Sequence, residues 1–132
     1  MRLISRKTDY AIRAICFIAE AKGRMVSVTE LVRELKIPRP FLRSILQILN
    51  RKGILKSFKG PEGGFRLARP AEEILVADLI RIFHGPIKLG QCLFKEQLCQ
   101  NARDCSLKGK IDTIEDRVTK ELRSINIASL LK

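Results

Sequence analysis

Residues 39–67 read RPFLRSILQILNRKGILKSFKGPEGGFRL, and the fold turns on how this run is divided. Pro40 sits where a first helical turn tolerates a missing N–H, and Gly53 supplies a stop, so a helix is predicted over residues 39–52. On a helical wheel Phe41, Leu42, Ile45, Leu46, Ile48 and Leu49 share one broad arc, and Arg39, Arg43, Gln47 and Asn50 share the opposite one. The first arc belongs against a core, while the second offers cations and amides to solvent. After Gly53, residues 54–59 and 65–67 flank the turn-formers Gly60, Pro61, Glu62, Gly63 and Gly64, which predicts a β-hairpin with a glycine-rich tip.

Upstream, Ala11, Ile15, Ile18 and Ala19 carry a helical period over residues 6–21, closed by Gly23. Cys16 lies beside that apolar stripe and reads as a core residue. Ser27-Val28-Thr29-Glu30 is a capping box, in which hydroxyl and carboxylate can satisfy backbone donors reciprocally. It opens a short helix with Val28, Leu31, Val32 and Leu35 facing inward, and Ile37-Pro38 turns the chain into the helix that follows. Two helices across a short turn, the second with a basic and amide-bearing outer face, make a helix-turn-helix, and a hairpin directly behind one is a wing. Arg and Gln match guanine and adenine edges in a major groove. Lys56, Lys59 and Arg66 place charge where a wing would meet phosphates or a minor groove. A solvated helix face or an ordinary hairpin would look similar singly; adjacent in one chain they favour DNA.

Charge agrees. The chain has 132 residues, a net charge of +12 and a pI near 10.1. Residues 33–69 hold ten Lys/Arg against Glu34 and Glu62, whereas residues 70–132 are nearly balanced. Solubility needs no such clustering, and an electrostatic footprint for double-stranded DNA does. With 45% hydrophobic residues the chain should fold as one domain, with length enough for an appended element. Residues 1–10 lack an apolar stretch of signal-peptide type, and the longest apolar run, residues 14–19, is too short to span a membrane, so a cytoplasmic protein is expected. No Ser/His/Asp, Cys/His or phosphate-loop arrangement suggests an enzyme.

Three of the four cysteines lie in a polar segment, Cys92, Cys99 and Cys105, between Gly90 and Gly109. Thiolates suit zinc and iron–sulfur clusters, pairing as a disulfide would leave one thiol over, and a reduced compartment keeps all three free. A metal or cluster site and an iron-free thiol switch are both compatible with this pattern. An iron–sulfur carrier would explain the cysteines but not the basic helix and hairpin. Beyond them Ile111, Ile114, Val118, Leu122 and Ile125 step by three and four, predicting a helix whose seam either covers its own core or pairs with a second copy; residues 126–131 read as a short closing helix packed on it.

The opening MRLISRKTDYAIRA, the Ile37-Pro38 turn, the wing KGPEGGFRLA at residues 59–68 and the three-cysteine segment together resemble the IscR/NsrR family of bacterial winged-helix iron–sulfur regulators, over nearly the whole chain. The resemblance implies a mainly α homodimer that regulates transcription, usually as a repressor. It also implies a winged helix-turn-helix over residues 1–84 with a two-stranded β wing, a cluster-binding cysteine segment at 85–109, and a long dimerisation helix with a closing short helix at 110–132. It implies that Cys92, Cys99 and Cys105 hold an iron–sulfur cluster, 4Fe–4S before 2Fe–2S, sensing cluster supply, iron, redox state or nitric oxide. It puts Arg39, Pro40, Arg43 and Gln47 in the recognition helix, and Lys59 and Gly60 in the wing. Cluster-supply sensors of the family carry a histidine where this chain has Lys108, and an acidic residue where it has Arg43, so their ligand set and DNA sites do not transfer. The only histidine, His84, reads as a helix-end polar residue. In the nitric-oxide-sensing members a counterpart of Asp9 reaches the partner's cluster, which makes Asp9 the candidate fourth ligand; a vacant or solvent-bound iron is its rival, with Asp9 then a favourable helix-end charge.

Overall fold

The computed structural model describes residues 4–87 and 106–131. Helix α1, Arg6–Glu20, starts at Ser5, whose Oγ accepts from the Thr8 amide at 3.2 Å. Thr8 is fully buried, and its hydroxyl is satisfied against Ser5 Oγ at 2.9 Å. Of the predicted stripe, Ala11, Ile15 and Ile18 are buried and Ala19 is half-buried, while Ala14 joins the buried side. Cys16 stands at its edge, half-buried and packed against the core.

Helix α2, Val28–Leu35, forms only half of the expected capping box. Ser27 Oγ accepts from the Glu30 amide at 3.1 Å, but the Glu30 carboxylate turns to Arg24, which forks onto it at 2.8 and 3.0 Å. A bidentate guanidinium outcompetes a single backbone N–H for a carboxylate. Helix α3, Arg39–Arg51, buries Leu42, Ile45, Leu46 and Leu49. Phe41, which the wheel placed in the apolar arc, is instead exposed, with its ring edge-on to Tyr10 at 6.1 Å. It lies at the rim of the arc, in the first turn, beyond the reach of the core.

Strands β1, Leu55–Phe58, and β2, Gly64–Leu67, pair antiparallel in the register Leu55 with Leu67, Lys56 with Arg66, Ser57 with Phe65 and Phe58 with Gly64. The hairpin does not stand alone. Val26, just ahead of α2, exchanges two backbone hydrogen bonds with Phe65, at 3.0 and 2.8 Å. This bridge requires glycine at position 64, where a Cβ would lie 2.4 Å from the Val26 carbonyl oxygen. The wing is thereby tied to the segment that delivers the helix-turn-helix.

A single 3-10 turn, Ala71–Glu73, leads into α4, Val76–Phe83, with Leu79 and Ile80 fully buried. Helix α5, described over Ser106–Arg123, already runs ahead of residue 110, where the dimerisation helix is expected, and none of these residues is buried. Leu107 is 68% exposed and Ile114 48%. The helix packs on α4, and its far end is fastened by a bridge between Leu75 and Asn126: Val76 N–H donates to Ile125 O at 3.0 Å and Ile127 N–H to Ile74 O at 2.9 Å, which draws Ile127 into the core. The closing element is one 3-10 turn, Ala128–Leu130, which packs on α1 and the Ala71–Glu73 turn rather than on α5. The Leu75–Asn126 bridge holds it there. The architecture is mainly helical with one two-stranded antiparallel sheet. Among the described residues no helix is long and apolar enough to cross a membrane.

Candidate nucleic-acid interface

Packing decides which side chains of α3 face outward. With Leu42, Leu46 and Leu49 committed to the core, Arg39, Pro40, Arg43 and Gln47 emerge exposed along one side of the helix. Helix α2 braces the start of this row, where Arg39 donates to Thr29 Oγ1 at 3.2 Å. Arg43 and Gln47 then share a cleft of about 250 Å³ with Ser57, Phe58, Gly63 and Gly64 of the hairpin. The helix and the wing therefore present one continuous surface.

Lys59 and Gly60 lie exposed at the wing tip. Gly60 has φ +110°, a conformation that side-chain-bearing residues rarely adopt, and its carbonyl accepts from the Gly63 amide at 2.9 Å. At Gly63 a Cβ would lie 2.3 Å from the Phe58 carbonyl oxygen. These glycines keep the tip tight and leave Lys59 free of the core.

Asn50 departs from expectation. The helical wheel groups it with Arg43 and Gln47, but its Oδ1 accepts from the Ser57 amide at 3.3 Å. It links the last turn of α3 to the first strand of the wing, a role the sequence could suggest only through an amide side chain one turn ahead of a strand. Ion pairing also shapes this end of the molecule. The fork from Arg24 holds the Glu30 carboxyl below its ordinary pKa, and both groups sit at the α1–α2 connection that carries Val26.

The sulfur site is only partly within view. Cys92, Cys99 and Cys105 lie outside the described residues, as does most of the expected cluster segment. Asp9 is described: it stands in the first turn of α1, half-exposed, paired with Arg13 at 3.1 Å. Its carboxylate is thus accessible and held only by a surface partner. Cys16 belongs to a different environment, where burial and then Glu20 push its thiol pKa up and disfavour the thiolate a metal needs. His84 ends α4 as expected, exposed and next to Gly85, whose φ is +97°. Among the described residues no group of three or more His, Cys, Asp or Glu could hold a metal ion. Thiols as ligands suit zinc or an iron–sulfur centre and do not suit magnesium or calcium.

Comparison with known proteins meets this geometry. Residues 4–132 match the model of the Rrf2 family, described as iron-dependent transcriptional regulators. A protein of Aquifex aeolicus described as an HTH-type transcriptional regulator is 30% identical over 131 residues, covering 98% of this chain and 91% of that protein. Among solved structures, CymR (YrzC), the global cysteine regulator of B. subtilis, superposes with a TM-score of 0.80 at 25% identity, covering 98% of this chain and 96% of that one. IscR of T. potens does so with a TM-score of 0.73 at 25% identity, covering 96% and 84%. The winged helix, the reading surface and the match across nearly every residue lead to one assignment: the chain is a DNA-binding transcriptional regulator of the Rrf2 family.

Proposed function

We propose that this regulator is a homodimeric, cytoplasmic repressor that binds operator DNA through α3 and the wing, with Cys92, Cys99 and Cys105 holding an iron–sulfur cluster that sets its affinity. What carries the reading most is the shared cleft of Arg43 and Gln47 with the wing, because a base-reading helix and a phosphate-reaching hairpin must lie on one surface to meet one duplex. Arg43 and Gln47 would read base edges in the major groove, with Arg39 and Pro40 setting the entry of the helix and Lys59 and Gly60 following the backbone or minor groove. Asp9, from the second protomer, would complete a 4Fe–4S ligand set. When bound, such a group supplies a centre sensitive to oxidants, iron supply or small reactive molecules, nitric oxide among them.

The coupling has a route in the chain itself. Cys105 adjoins Ser106, which is already in α5, and the far end of α5 is fastened to the winged domain through Ile125, Asn126 and Ile127. A change at the cysteines would reach the reading heads through one rigid helix. A second reading, an iron-free thiol switch, is favoured by the likeness to the global cysteine regulator. An anaerobic absorption spectrum with iron and sulfide analysis separates the two. About four irons and four sulfides per chain support the first; neither metal nor sulfide, with Cys92, Cys99 and Cys105 titrating as thiols alongside Cys16, supports the second.

A further inference from the structure

The outer face of the wing holds a feature that base reading and cluster sensing leave unused. Lys56 and Arg66 are direct cross-strand partners, and both are exposed. Like charges opposite each other in an antiparallel ladder repel. Here each is laid over the same aromatic ring: Lys56 Nζ lies 5.5 Å and Arg66 Cζ 4.8 Å from the centroid of Phe58. Opposite Phe58 stands Gly64, which has no side chain to cover the ring. The ring offers both cations its negative face, which holds the pair together at exposed positions. Among the described residues neither cation has an acidic partner. Phe58 also lines the cleft it shares with Arg43 and Gln47, so the pair continues the reading surface outward.

We infer that Lys56 and Arg66, organised by Phe58, form a two-cation clamp on DNA backbone phosphates flanking the bases that α3 reads. Two fixed cations without hydrogen-bonding acceptors fit a polyanion, and phosphates on a duplex that fills the α3–wing surface are the anions nearest to hand. The clamp anchors the protein without regard to sequence and leaves discrimination to Arg43 and Gln47. It rests on the operator-binding reading and names a contact within it.

Binding of the full chain to a duplex selected from a random pool, and to a shuffled duplex, is measured across a salt series. Wild type is compared with Lys56→Gln/Arg66→Gln. Both positions are exposed, so folding should be retained, and the wing's amide exchange checks this. Each lost phosphate contact lowers the slope of log affinity against log salt by about 0.9, so the double variant should lose about 2 per bound protomer. Affinity should fall by the same factor on both duplexes, with discrimination unchanged, and Lys56→Arg/Arg66→Lys should restore the slope. A double variant with the wild-type slope overturns the clamp. So does a loss confined to the selected duplex, which would mean that these cations read bases. If the wild type itself does not distinguish the two duplexes, operator reading fails, while the slopes still decide whether the clamp exists.

Discussion

Individual residues of the proposed DNA surface divide into positions placed to read and positions that hold the scaffold. Arg43 is exposed on the outer side of α3 and faces the wing across the shared cleft. If it reads a base edge, Arg43→Ala should cost about 1–3 kcal/mol at the operator and relax preference at one base position, measured by competition binding over single-base variants. Asn50 is a holding residue, because its amide oxygen is occupied by the Ser57 backbone. Asn50→Ala should lower stability by at most about 1 kcal/mol, as expected for one exposed hydrogen bond. Its local signature is faster hydrogen exchange at the Ser57 amide; unchanged exchange would contradict the role. The cysteines divide as well. Serine at Cys92, Cys99 or Cys105 should abolish visible cluster absorption, and Cys16→Ser should leave it intact. Because burial raises the Cys16 pKa, its thiolate is scarce below that value. At pH 7.5 it should alkylate more slowly in the folded chain than in urea, as followed by mass spectrometry.

At the scale of elements, what the sequence showed well was local. Helix α2 and its Ser27 cap, the end of α4 at His84, and the hairpin follow from signals within a few residues of each element. What it hid was pairing between distant segments. Neither the Val26–Phe65 bridge nor the Leu75–Asn126 bridge has a local signature, yet the first positions the wing and the second pulls the closing turn away from α5. Phe41 and Asn50 fit a helical period but were drawn off by Tyr10 and Ser57, contacts that a wheel does not contain. Helix α5 poses the opposite case, a clear apolar stripe on which, among the described residues, Leu107 and Ile114 are left exposed. Pairing with a second copy would bury them, each contributing about 1.5–3 kcal/mol per protomer. Leu107→Asp/Ile114→Asp should therefore sediment as monomers while keeping the wild-type helical circular dichroism. Retention of a dimer would show that α5 is not its seam.

For the whole molecule, the described fold sets an exposed basic helix beside the wing and fastens the far end of α5, the helix that follows the cysteines in sequence, to the winged domain. The winged helix-turn-helix was legible because its caps, its turn glycines and its charge all fall in consecutive residues. The proposed ligand set shows in the sequence only as three sulfurs, since spacing names neither a metal nor a donor from elsewhere; Asp9, paired with Arg13, is accessible but otherwise ordinary. The central claim is that the state of those cysteines governs DNA binding. It is tested most directly by the affinity of anaerobically purified protein for its selected duplex, before and after iron is removed and with thiols kept reduced. A coupling of ordinary size shifts that affinity by about 5–150-fold, and a shift in this range is predicted. Equal affinities in the two states, on a duplex the protein clearly recognises, would contradict the account.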